Sequence, residues 1–326
     1  MEQKVLRFST VVIVVALTLR LLGSAGLDFI LSPKAATWMF FLQTGRLSKP
    51  VNIESTEPTK ATTPTAPQTP PAPSKPVDIP TFSPDDAAAI TVSSGFSFQA
   101  DLPALLTKPL SWDLSGDEPT VLIVHSHSTE SYNGGGYKET SPYHTLDANH
   151  NMISIGAYVA DLLEKGGISV IHDTAIHDNP SYDLSYTNSR RSMQEYLKRY
   201  PSIRLVLDLH RDSYEDAAGN QIAHTVFSEG ETLAPLMFVV GTDYGGLTHP
   251  KWQENLSLAL KLQTQLESFC PGICRNLNLR TQRFNQDLSV GSLLVEVGAS
   301  GNTHAQALKA AEMLAEAILS LAHGSK

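Results

Sequence analysis

Val121–Tyr132 reads VLIVHSHSTESY. Four apolar residues, Val121–Val124, run into His125-Ser126-His127, and Glu130 follows shortly after. An apolar strand that ends in imidazoles and a carboxylate delivers ligands for a cation more readily than side chains for a core. His127 and Glu130 form an H-x-x-E unit that can chelate zinc from a loop, and a catalytic zinc commonly takes three protein ligands and keeps a fourth position open. His210, in LVLDLHRDS, ends a second apolar run and is the best third ligand. Asp208, just before it, is placed to orient a ring. His125 and His150 stand in reserve. His125 shares a face with His127 only if the strand runs on, and His150 immediately precedes a helix.

A third apolar run, Ser292–Val297, carries Glu296. A carboxylate there is costly to bury unless it has a partner or a task. General base beside a metal-activated water is such a task; an ion pair to Arg211 or Arg283 is the plainer alternative. Arg211 is also placed to steady a developing oxyanion. Asn285 and Gln286, in Phe284–Leu288, precede the Glu296 strand and can hydrogen-bond the amides of a peptide substrate. Gly134-Gly135-Gly136 is no phosphate loop, because no GK[ST] follows it. HSHST likewise lacks the G-x-S-x-G elbow of a serine hydrolase.

The elements that must position these residues follow from periodicity. Thr120–Val124, Ile168–His172, Ile203–Leu209 and Ser292–Val297 read as strands, and Ala223–Phe227 and Leu236–Val240 as two more around a turn at Glu229-Gly230. Ile155, Val159, Leu162 and Leu163 mark a helix, as do Asn188–Tyr200, the stripe from Trp252 to Phe269, and the stripe from Leu308 to Ala322. Alternating strands and helices imply an α/β fold with a mostly parallel central sheet and helices on both faces. In such sheets sites form at the carboxyl ends of strands. His127, His210 and Glu296 all fall there.

Ahead of this domain the chain changes character. Residues 1–8 are short and polar, and 9–31 are mainly apolar but interrupted by Arg20 and Asp28. A membrane span takes roughly 20 apolar residues, so this stretch reads as an anchor, with a cleaved signal peptide as the alternative. Residues 32–118 read as a Pro/Thr-rich linker, with eight prolines in 51–80, and 119–326 as the catalytic domain. Phe96, Phe98 and Leu102–Leu105 are the linker residues able to dock back on the domain. The net charge of -9 argues against nucleic acid as a partner. Cys270 and Cys274, in CPGIC, fit neither a thioredoxin motif nor a structural zinc site; outside the cytoplasm they can close a local disulfide.

HSHSTESY, DLHRDS (Asp208–Ser213), NQDLS (Asn285–Ser289) and LLVEVG (Leu293–Gly298), in this order, resemble the stage II sporulation protein P family. More distantly the chain resembles zinc N-acetylmuramoyl-L-alanine amidases of the amidase-3 fold. The resemblance implies an α/β amidase fold around one zinc ion. It implies a peptidoglycan hydrolase that cuts between muramic acid and the first alanine of the stem peptide, with endopeptidase cleavage of cross-links credited as well. It further implies single-pass attachment to the cell membrane with the catalytic domain outside the cytoplasm. The resemblance implies action there in septal wall thinning and engulfment, with stage II sporulation proteins D and M as partners. His127 and His210 match the family's essential histidines, and Glu296 matches the amidase-fold catalytic Glu. Amidases place a ligand Glu at the start of the first helix; here that region reads Asn149-His150-Asn151, so Glu130 or His150 takes its place. A zinc peptidase or esterase of another substrate class, and a non-catalytic wall-binding scaffold, are the competing readings.

Overall fold

A computed structural model describes residues 82–109 and 112–323. In chain order the elements are β1 (Val92–Ser94), α1 (Leu102–Thr107), β2 (Val121–Val124), β3 (Glu139–Ser141), β4 (His144–Thr145), α2 (Met152–Lys165), β5 (Val170–His172), α3 (Ser185–Arg199), β6 (Leu205–Asp212), β7 (Val226–Ser228), β8 (Glu231–Leu233), β9 (Leu236–Gly241), α4 (Trp252–Phe269), β10 (Leu277–Arg280), β11 (Ser292–Ala299) and α5 (His304–His323).

Seven strands form one sheet in the order β1-β10-β9-β11-β6-β2-β5. Every neighbouring pair is parallel except β9 with β11. β2 and β9 are apolar without interruption and buried throughout, over Val121–Val124 and Leu236–Gly241. Alternation within them sorts the faces. Val121, Ile123, Leu205, Leu207, Phe238, Val295 and Leu279 pack with α2, α4 and α5 in the principal core. Leu122, Val124 and Val206 point the other way, against Met193 of α3. On that second face Met237, Val239 and Leu294 form a separate cluster, with Phe284 packed against it. Three helices therefore fill one face, and α3 covers only part of the other.

The α/β class, the mostly parallel sheet and helices on both faces agree with the sequence. Two local expectations differ. Ala223–Phe227 does not pair with Leu236–Val240; β7 pairs with β8 in a separate hairpin across Glu229-Gly230, and β9 enters the main sheet. The linker expected over 32–118 is also too long. β1 joins the sheet edge at β10, and Ala87, Ile90, Leu106, Trp112 and Leu114 are buried in the principal core. Lys261 of α4, itself buried, donates to the carbonyls of Leu105 and Leu106 at the end of α1. These carbonyls have no partner within the helix, so a lysine sealed into the core holds the arm in place. The expected anchor and the proline-rich stretch lie outside the described residues. Among those described, no helix is long and apolar enough to cross a membrane.

Candidate metal centre

β2 ends because Ser126 turns toward β6. Its backbone N–H donates to Asp208 Oδ1 at 2.8 Å and its hydroxyl to Asp208 Oδ2 at 2.6 Å. The loop that follows is tied down residue by residue. Ser128 Oγ donates to the His125 carbonyl, Thr129 N–H and Oγ1 donate to Asp178, and Glu130 N–H donates to the His127 carbonyl. This loop turns His127 and Glu130 over the end of β6, where His210 stands.

His127, Glu130 and His210 offer ligand atoms that all lie within 4.8 Å of one another. His127 Nδ1 is 3.3 Å from Glu130 Oε1, and His210 Nδ1 is 3.5 Å from Glu130 Oε2. Ligand atoms around a tetrahedral zinc at about 2.1 Å stand roughly 3.4 Å apart, so the donor set and its spacing fit that ion. The electrostatics ask for a cation as well. Glu130 is buried, and burial pushes its carboxyl up, but Arg211 and the two imidazoles outweigh burial and hold it well below the ordinary range. His210 is buried too, which favours its neutral form, yet Asp208 and Glu130 draw a proton onto it. A bound divalent ion answers the same negative charge. Asp208 Oδ1 lies 2.9 Å from His210 Nε2, without the alignment of a hydrogen bond. A carboxylate on that nitrogen leaves Nδ1 free to face the ion.

Glu296 is the register partner of His210 across β11 and β6. Its Oε2 is buried with no hydrogen-bond partner, and burial, reinforced by Glu130, pushes the carboxyl up to about 8. It faces a cleft of about 440 Å³ that also takes in His127, Glu130, His210, Tyr182 and Tyr186.

The remaining expected residues fall differently. Arg211 lines the cleft, but its backbone N–H donates to Glu130, its Nε to the Ser131 carbonyl and its Nη2 to the Tyr143 carbonyl. It holds Glu130 and the loop around it; its guanidinium is not aimed freely at an oxyanion. Asn285 and Gln286 are buried and engaged inside the fold. Asn285 Nδ2 donates to Tyr186 O and Ser189 Oγ, while Gln286 receives Gly241 N–H and donates to Val239 O. NQD therefore builds the cleft wall, presenting Phe284 through two successive left-handed residues (φ 50° and 59°); neither amide is offered to a ligand. His150 pairs with Asp147 at 2.9 Å and stands outside the triad. His125 points from β2 toward α2. Its Nδ1 lies 3.1 Å from the Leu209 carbonyl and so donates, which makes Nε2 the acceptor from His172 at 2.9 Å. Burial and His172 push His125 down to about 3, so it stays neutral. Gly156 leaves room for this pair, since a Cβ there would lie 2.3 Å from His125 Nε2. Cys270 and Cys274 are free thiols.

Sequence spacing did not point to Tyr182 and Tyr186. Tyr182 stacks on His127 with ring centroids 4.3 Å apart, and Tyr186 lies parallel to His210 at 6.2 Å. The YxxxY spacing of Tyr182 and Tyr186 at the start of a helix was the available signal.

With this geometry described, comparison with known proteins gives the family. The family model described as Stage II sporulation protein P matches residues 44–319. The chain belongs to the stage II sporulation protein P family. It is similar to the stage II sporulation protein P of Bacillus subtilis strain 168, 27% identical over 213 residues, which covers 62% of this chain and 51% of that relative. The chain thus spans about half the length of the curated relative it matches. Among solved structures it is similar to the N-acetylmuramoyl-L-alanine amidase AmiC2 of Nostoc punctiforme, 14% identical over 64% of this chain and 97% of that one, TM-score 0.39. An N-acetylmuramoyl-L-alanine amidase from Clostridium difficile 630 gives 14% identity, 64% and 100% coverage and a TM-score of 0.39.

Proposed function

We propose that this member of the stage II sporulation protein P family is a zinc-dependent peptidoglycan hydrolase. It cleaves the amide between muramic acid and the first alanine of the stem peptide, and cross-link peptides as a second substrate. The observation that carries this is the convergence of His127, Glu130 and His210 beside Glu296, whose buried Oε2 has no partner. Family membership supports a role in sporulation.

In this reading His127, Glu130 and His210 hold zinc, with Asp208 behind His210 and Arg211 behind Glu130. The chemistry zinc supplies when bound is Lewis-acid polarisation of the scissile carbonyl and a lowered pKa for water. Glu296 takes a proton at Oε2 and returns it to the leaving amine, as general base and then general acid. Tyr182 and Tyr186 wall the imidazoles from bulk water. The expected location is the outer face of the cell membrane, through the N-terminal segment, with stage II sporulation proteins D and M as partners.

Dye release from labelled peptidoglycan, with zinc analysis of each protein, tests the assignment. His127→Ala and His210→Ala should lose both zinc and release, and mass spectrometry of wild-type product should find free stem peptides. Full release by either variant would remove that residue from the site.

A further inference from the structure

The cleft does not stop at the metal centre. It continues over the uncovered part of the sheet to Asn278 and Arg280 on β10. Two residues apart on one strand, these share a face. Register assigns them to the face of Glu296, since Asn278 pairs with Val239, Val239 with Leu294, and Leu294 with Asp208. β10 lies three strands from β6, about 14 Å. Arg280 is displaced along the strands as well, so it stands roughly 15–20 Å from His210, the length of an extended chain of about five residues.

The floor between is apolar, made of Met237, Val239 and Leu294. At the Arg280 end the floor position is Gly241, where a Cβ would lie 2.4 Å from the Gln282 carbonyl; the 282–283 backbone closes the cleft there. The charges at the two ends differ. Glu130, Glu296 and Asp212 line one end, where Arg211 is engaged by Glu130 and its loop and Arg275 pairs with Asp212 at 2.9 Å. Among the described residues Arg280 meets no carboxylate and no hydrogen-bond acceptor through its side chain, and neither does Asn278. A guanidinium and a carboxamide on one face, with free donors, suit a carboxylate.

We propose that Arg280 and Asn278 form a carboxylate subsite at the far end of the cleft. The substrate is an extended acidic peptide that lies across the sheet with its scissile amide at Glu296 and a carboxylate on Arg280. The opposite charges of the two ends set its direction. The assignment deepens the hydrolase reading above and rests on it for the position of the cut.

The test uses the full-length zinc-loaded chain and two synthetic muramoyl tetrapeptides, one with free carboxylates and one with every carboxylate amidated. Cleavage kinetics and titration calorimetry are both measured. The wild type should prefer the carboxylate form by about tenfold in KM and in Kd. Arg280→Met should bring that ratio close to one, while Arg199→Met, on the outer side of α3, should keep it. A wild type without preference, or an Arg280→Met protein that retains it, overturns the subsite. If the wild type cleaves neither peptide, the amidase reading fails, and calorimetry still decides the subsite by the same ratio.

Discussion

The two faces of the central sheet are made from alternate residues of the same strands, yet their polar groups do different work. On the filled face Lys261 and Asn255 find their partners inside the fold, while Trp112 Nε1 and Gln263 Oε1 are buried without one. Lys261 caps the carbonyls of α1, and Asn255 joins Gly291 N–H to the Gln286 carbonyl. On the open face Glu296 Oε2 and His210 Nε2 are buried without a hydrogen-bond partner, and the exposed Arg280 pairs with no carboxylate among the described residues. Burying a polar group without a partner costs about 1–3 kcal/mol. Unpartnered atoms occur on both faces, but Glu296 and His210 line a cleft where a ligand can meet them, and Trp112 and Gln263 do not.

That contrast can be broken in four ways. The largest effect is expected at Glu296. Glu296→Gln should lower amide cleavage by about 10²–10⁴-fold, the usual contribution of a general acid–base group, while zinc content stays at the wild-type level. Zinc lost together with activity would make Glu296 a ligand instead. Asp208→Asn acts one step behind the metal, and should weaken zinc binding by about 10–100-fold, measured by competition with a chelator dye. An unchanged affinity would mean that Asp208 serves only the Ser126 turn.

The filled face should respond in stability and not in chemistry. Gly156→Ala improves helix propensity, but its Cβ would collide with the His125–His172 pair. Overpacking should win, with a loss of about 1–3 kcal/mol in denaturant unfolding. A more stable variant would show that the histidines can move aside. Lys261→Met should cost about 1–3 kcal/mol, because it leaves the Leu106 carbonyl buried without a donor, while Ser257 Oγ still serves Leu105. Its pH dependence is distinctive. Burial, with Lys108 nearby, lowers Lys261 from 10.5 to about 8, so between these values the unfolded chain holds a proton that the folded one has released. The stability contributed by this group is therefore present above 10.5 and lost as pH falls through about 8. The stability difference between wild type and Lys261→Met should grow as pH rises across this window; a flat difference would mean that Lys261 keeps its proton in the core.

Much of the candidate site was legible because its residues sit at chemically odd places. His127, His210 and Glu296 are polar ends of apolar runs, and an α/β sheet brings such ends together. Glu130 was a candidate from H-x-x-E spacing, and the fold groups it, not His150, with His127 and His210. Arg211, Asn285 and Gln286 show the limit of reading residue types. Their functional groups suit a substrate, but in the fold they hold Glu130, Tyr186 and β9. Tyr182 and Tyr186 were missed because nothing in the turn before α3 or in its first residues announces which side meets His127 and His210. The docking of residues 82–109 was largely missed because their apolar residues are sparse; their burial depends on Lys261 and α4, more than a hundred positions away.

The amino-acid sequence by itself determined the class of fold and the triad's candidates. Periodicity decides which residues enter a strand or helix, and an apolar strand must be buried on both faces. Tertiary structure alone decided how the remaining polar groups divide between scaffold and site. A hydrogen-bonding side chain serves whichever partner comes within about 3 Å, and those partners are set by strand order and register. The insertion of β9 between β10 and β11, antiparallel to β11, leaves Glu296 and Arg280 on one uncovered face. No local pattern in the chain states that juxtaposition.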